Sequence, residues 1–355
     1  MKNESESSPG RPRIRERVED FEVEEVPRSA PAGRGEHLYL WIEKRGVDTA
    51  AVAREMARRA GVAAGQVGFA GRKDRHGVTR QWLSVPRWPR ERAPELEMDG
   101  VEILRAEAGN ARLRLGELAG NRFRIRVRGV AEELMAEARH RLEEAEAHGM
   151  PNRFGDQRFG HGGRNVERGL AVLRGEAEAG GREPSRRKRG FLVSAVQALA
   201  FNRILDRRPA PCHELLPGDL AIAHGSGRLI PVDDPASLAP RLERFAVSPT
   251  GPLFGSKVAR PEGAVAELER QVLEELGVAD LEALPGAREL RLTGERRSLR
   301  ARLRQVSLEV LSSDGELGEG GGKDLELRFF LPAGSYATAL LGLLFPTGYE
   351  EGPMG

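Results

Sequence analysis

Alternating apolar and polar positions mark strands along much of the chain. Residues 13–27 (RIRERVEDFEVEEVP) alternate through Phe21, Val23 and Glu25 and predict a strand, with Phe21 as a core residue. HLYLWIEK, 37–44, alternates as well and makes a partner strand across a loop holding Pro31, Gly33 and Gly35. Asp48 is placed to cap a helix through Ala60, with Val52 and Met56 on one face and Gly61 as its stop. A short apolar run, Val67 to Ala70, enters a charged loop, and period two returns from Val78 to Val85. Pro86 to Pro94 read as loop. Residues 113–128 form a strand in which Phe123, Ile125 and Val127 alternate with Arg122, Arg124, Arg126 and Arg128. A helix spans 131–147 with Leu134, Ala138 and Leu142 on one side, and 151–165 is a Gly-rich exposed loop.

The texture changes from about residue 166. A helix to about Ala179 is followed by SRRKRG, 185–190, and an apolar helix over 191–208. Residues 214–260 mix short strands with Pro and Gly turns, 261–276 form an acidic helix, and 295–304 are basic. Toward the C-terminus, Leu325, Leu327 and Phe329 alternate, and Pro332 and Gly334 end that strand. Ser335 can cap a helix carrying Leu340, Leu343 and Leu344. The stretch 317–322 (LGEGGG) reads as a flexible connector.

At 355 residues the chain has room for two domains, or for one with an insertion. A formal charge of +2 does not announce a nucleic-acid binder. Of 56 basic residues only six are Lys, so 50 are Arg. Arg presents a planar fork suited to phosphate, and codon composition also accounts for such a bias. The single Cys, Cys212, excludes an intrachain disulfide and a multi-Cys zinc site. No apolar run reaches about 18 residues, which excludes a membrane helix. The polar start, MKNESESSPGRPR, lacks the apolar region of a signal peptide, so a cytoplasmic protein with residues 1–12 disordered is expected.

The densest chemistry lies in AGRKDRHGVTRQW, 70–82. Asp74 is the sole anion among Arg72, Lys73, Arg75 and His76, and the flanking Gly71 and Gly77 permit backbone angles other residues avoid. A carboxylate among cations is favoured in its charged form, so Asp74 is expected to be ionised and available as nucleophile or base. The same residues also suit a solvated, salt-bridged turn. The stripe from Arg122 to Arg128 reads either as a phosphate-tracking surface or as a solvated sheet face neutralised by Glu-rich neighbours. In 151–165, Asn152 offers a donor and an acceptor suited to the edge of uracil. Phe154 and Phe159 offer stacking faces, or simple packing under the loop. Arg186, Arg187, Lys188 and Arg189 stack at a helix entrance against its dipole, which suits either an RNA backbone or a solvated charge run.

Five stretches together resemble the TruD family of tRNA pseudouridine synthases. DFEVEE resembles DFxVxE, AGRKDRHGVTRQW the catalytic motif AGxKDxxxVTxQ, NRFGDQRFGHGGRN the motif NxFGxQRFGxxGxN, and FFLPAGSYAT the motif FxLPxGS(F/Y)AT. SAVQALAFN resembles SAxxSxLFN, with Ala198 where Ser is usual. The resemblance implies an α/β (α+β) fold: a catalytic domain with a mixed, largely antiparallel sheet over 13–175 and 311–355, and an inserted α/β module over 176–310. It implies Asp74 as the catalytic aspartate, with Lys73 beside it holding its charge state. Phe21, Asn152, Phe154 and Tyr336 fall where the family contacts substrate. Arg15 falls where some relatives have Lys, and His76 in a variable position.

The implied reaction turns a uridine of tRNA, uridine 13 in bacterial relatives, into pseudouridine. It needs no cofactor and no metal, and no protein partner is implied. Asp74 would act on the ribose or on the uracil ring. Two other readings stand beside it. One is a noncatalytic RNA-binding or RNA-folding protein, which the complete motif around Asp74 argues against. The other is a metal-dependent nuclease, which would need clustered carboxylates that the loop lacks.

Overall fold

A computed structural model describes residues 11–176, 184–311 and 322–352. The chain splits into two compact units. The first comprises Met1–Glu146, Leu303–Ala337 and Leu341–Gly355; the second comprises Ala147–Arg302 with Thr338–Leu340.

The first unit is built on a ten-stranded sheet. Its main path runs Arg304–Leu311, Lys323–Pro332, Leu118–Val130, Phe21–Pro27, Val78–Pro86, His37–Arg45 and Val101–Gly109. Along this path Phe21–Pro27 and Val78–Pro86 are parallel and the other neighbours antiparallel, so the sheet is mixed and largely antiparallel, as expected. Period two puts Leu38, Leu40, Ile42, Leu83 and Val85 into one core with Val52, Ala53, Met56 and Ala57 of the helix Thr49–Ala60. Burying a side chain the size of Met56 contributes about 2 kcal/mol. That helix starts where its sequence says: the Asp48 carboxylate accepts from the amides of Ala50 and Ala51, and Gly61 closes it.

The Arg stripe is answered within the sheet. Register sets Arg122 opposite Glu24, Arg124 opposite Glu22 and Arg126 opposite Glu326. Arg122 pairs with Glu24, Arg124 with Glu22 and Glu326, Arg126 with Asp324, and Arg128 with Asp20. The phosphate-tracking reading of this stripe therefore gives way to an ion-paired sheet face.

The strand expected over 13–27 is broken. Arg13–Ile14 pairs in parallel with Glu350–Glu351, Arg15 turns at φ 57°, and a 3-10 turn occupies Val18–Asp20 before Phe21–Pro27 begins. The helix Ala337–Leu344 is preceded by Tyr336 at the cap position, without a side-chain cap bond. Ser335 was the expected cap. Its amide donates to the Pro332 carbonyl at 3.2 Å.

The second unit has a four-stranded sheet, Leu229–Pro231, Leu220–Ala223, Val247–Leu253 and Glu295–Ser298, with helices packed beside it. Its core joins Val172 and Leu173 of Arg164–Arg174 to Leu192, Val193 and Val196 of Arg186–Arg207 and to Val272 of Gly263–Glu275. Arg164–Arg174 ends at Gly175, short of the expected Ala179. The short strand Met150–Pro151 pairs with Arg300–Ala301. That pairing and the 151–165 loop lie within the second compact unit, whose main segment runs from Ala147 to Arg302. Residues 1–10, 177–179 and 317–321, for which disorder, a helix end and a flexible connector were expected, lie outside the described residues. Among the described residues no helix is long and apolar enough to cross a membrane.

Candidate active site

Residues 70–77 connect Gly68–Phe69 to Val78–Pro86, and those two strands pair with each other. Buried side chains hold the main chain of the loop. Gln81 Nε2 donates to the Gly71 carbonyl at 3.2 Å, and the Lys73 amide donates to Thr49 Oγ1 at 3.0 Å. Lys44 Nζ donates to the Asp74 carbonyl at 2.6 Å and to the Val47 carbonyl at 2.8 Å. Thr49 Oγ1 in turn donates to Gln81 Oε1. Lys44, Thr49 and Gln81 are all fully buried. Neither Gly71 nor Gly77 has a positive φ, so neither uses the left-handed backbone angles it was expected to permit. Each is needed for close approach: a Cβ on Gly71 would lie 2.9 Å from Lys73 Nζ, and one on Gly77 would lie 2.5 Å from the Phe21 carbonyl oxygen.

The Asp74 carboxylate is paired with Arg15 at 2.6 Å and accepts from the His76 amide at 3.2 Å. Its side chain keeps 22% of its surface, while that of Arg15 keeps 6%. The Arg15 guanidinium lies 4.1 Å from the centre of the Phe21 ring and reaches Glu351 at 3.4 Å. The structure thus joins Phe21 to Asp74 through Arg15.

Lys73 does not face Asp74. Its ammonium pairs with Glu25 at 2.6 Å, and the two side chains keep 3% and 1% of their surface. Glu25 also accepts from the Trp82 amide at 3.3 Å. Lys73 is therefore a buried structural cation, and Arg15 holds the charge of Asp74. The sequence signal for Arg15 was its place ahead of DFEVEE. Lys44, unremarked in the sequence, also carried one: it follows Leu38, Leu40 and Ile42 on the buried side of its strand, and it is one of only six Lys. Burial lowers its pKa to about 8, with Asp74 and Asp48 opposing that shift and Lys73 adding to it. Tyr336 stands half-buried at the start of the helix Ala337–Leu344.

Asn152 and Phe154 lie in the second unit, both buried. The Asn152 amide donates to the Ser298 carbonyl at 3.0 Å and accepts from Arg297 at 2.6 Å. Phe154 packs edge-on against Phe201, and Arg297 lies 4.2 Å from its ring centre. Asn202, from SAVQALAFN, bonds both the amide and the carbonyl of Phe154 at 3.0 Å. Phe159 is half-buried. The basic run is the first turn of the helix Arg186–Arg207. Arg189 is buried and bonded through both terminal nitrogens to Glu289, which removes it from the proposed RNA contacts. Arg186 reaches the Leu290 carbonyl, and Arg187 and Lys188 are exposed.

Residues 5–183 and 182–342 match the family described as tRNA pseudouridine synthase D (TruD). The tRNA pseudouridine synthase D of Geobacter metallireducens is 38% identical over 388 residues, covering 92% of this chain and 93% of that protein. That of Thermus thermophilus is 40% identical over 333 residues, covering 92% and 87%. A TruD crystal structure from Methanosarcina mazei covers 96% of this chain and 95% of its own, with a TM-score of 0.74 at 23% identity, and shares the fold. On these matches the chain belongs to the TruD family of pseudouridine synthases.

Proposed function

We propose that the protein isomerises a uridine of tRNA, uridine 13, to pseudouridine in the cytoplasm, with Asp74 as the reacting carboxylate. The observation that carries this reading is a half-open carboxylate held by a buried Arg15 on a loop whose main chain is fixed from beneath. The reaction breaks the bond between C1′ and N1, turns the freed uracil and joins C5 to C1′. The proton on C5 then leaves and N1, freed from C1′, takes one up, so atoms and electrons balance within one nucleotide. Extruding the base costs a few kcal/mol. A ring such as that of Tyr336 can return about 1–3 kcal/mol by stacking. Phe21 acts through Arg15, which it supports. Asn152 and Phe154, held by Arg297, Ser298 and Asn202, act by shaping their loop.

Uridine-labelled tRNA, incubated without added metal or cofactor, should yield pseudouridine, and tRNA with cytidine at position 13 should yield none. Cleavage products would point to a nuclease, and binding without either product to a noncatalytic RNA-binding protein.

Exposed Arg187 and Lys188, at the positive end of a helix, suit the phosphate backbone. Replacing both with Ala should weaken tRNA binding and reduce its salt slope by about 2. An unchanged slope would place the backbone contact elsewhere.

A further inference from the structure

We propose that Lys44 is a positioning residue of the isomerisation: its buried ammonium fixes the main chain of Asp74 and thereby the aim of the reacting carboxylate. This rests on Asp74 being that carboxylate.

Within the loop the Gly77 amide donates to the Arg75 carbonyl at 3.1 Å. At Asp74 the main-chain carbonyl is held by Lys44. Leu38, Leu40 and Ile42 occupy the equivalent positions earlier in the strand, so an apolar residue would complete the pattern at 44. A buried cation there is costly, and its two acceptors are main-chain oxygens, those of Val47 and Asp74. Thr49 and Gln81 hold the neighbouring groups of the loop but carry no charge. Lys44 is therefore the only one of the three clamps whose strength varies with pH.

The groups facing it are few. Asp74 and Lys73 come from the loop, and Asp48 from the start of the helix Thr49–Ala60. The neighbouring strands set uncharged Thr79 and Val101 opposite it. On its own strand, Glu43 pairs with Arg80 and Arg45. Above about pH 8 the amine keeps N–H donors but loses charge assistance to the Asp74 carbonyl. The same titration affects stability in the opposite direction. A lysine whose pKa is lowered in the folded state leaves the unfolded chain binding more protons between about pH 8 and its ordinary value, so this group makes stability rise with pH across that window. Activity and stability thus diverge, which a purely structural lysine would not produce.

The test compares wild type, Lys44→Met and Asp74→Asn on tRNA, reading kcat, KM, tRNA affinity and melting temperature from pH 6.5 to 9.5. Lys44→Met should lower kcat about 100-fold, the scale of a 1 Å misplacement, with tRNA affinity within about twofold. Wild-type kcat should fall above about pH 8 without a fall in melting temperature, and the variant should lack that limb. Wild-type kcat in Lys44→Met beside an inactive Asp74→Asn would overturn the role of Lys44 alone. Activity in Asp74→Asn would remove the reading beneath it. A loss in Lys44→Met matched by lost affinity or lost melting temperature would make the residue merely structural. If that variant does not fold, a wild-type kcat flat across the same pH range overturns the proposal.

Discussion

Asp74→Asn should give a folded protein that binds tRNA and forms no pseudouridine. Asn has the shape of Asp, so its side-chain oxygen can still accept from the His76 amide, and the loop keeps its bonds to Lys44, Thr49 and Gln81. What is lost is the negative charge. A carboxamide is neither a nucleophile toward C1′ or the uracil ring nor a base at neutral pH. Arg15 loses its short partner but retains Glu351 at 3.4 Å, so the change in melting temperature should be small. Affinity for tRNA should stay within about tenfold, or about 1.4 kcal/mol. Product analysis by mass spectrometry after long incubation decides the matter: continued pseudouridine formation would take the reacting role away from Asp74.

Lys73→Met should have the largest effect on stability. It leaves Glu25, with 1% of its side chain exposed, without its cation. Breaking a buried pair from one side costs about 3–5 kcal/mol, a large share of the roughly 5–15 kcal/mol that holds a protein folded. The melting temperature should fall by about 10 °C. Adding Glu25→Gln removes the stranded charge and should recover much of the loss, so the double variant should be more stable than Lys73→Met alone. Equal melting temperatures for Lys73→Met and wild type would mean that the pair contributes nothing net. Turnover by the surviving folded fraction of the double variant would separate the fold role of Lys73 from any role at Asp74.

Local patterns were readable where one face of an element is buried and the other wet. The helix Thr49–Ala60, its Asp48 cap and its Gly61 stop follow directly from spacing. So do the strands His37–Arg45 and Val78–Pro86, because a slip by one residue would expose Leu40 and Leu83. Partnerships across the sheet were not readable. Lys73 adjoins Asp74 in sequence, yet its ammonium turns to Glu25, 48 residues away, because that carboxylate is buried on the parallel neighbour strand. The four Arg of Leu118–Val130 resembled an RNA surface only while the acids facing them lay on strands whose register was unknown. Arg15 was the hardest case. It sits in a left-handed turn of a strand that breaks, and nothing local showed that its guanidinium would reach residue 74.

The pairing of Arg13–Ile14 with Glu350–Glu351 has a consequence for biosynthesis. The Gly352 amide bonds the Ile14 carbonyl at 2.8 Å, and Glu351 reaches Arg15 across 336 positions of chain. Closing so long a span carries a large entropic cost, and contacts of this kind form late. A nascent polypeptide emerging from the ribosome therefore carries the loop of Asp74 well before the strand beside Arg15 exists. The guanidinium gains this support only once residues 350–352 have been synthesised, so the loop of Asp74 stays without it while the roughly 275 intervening residues are made.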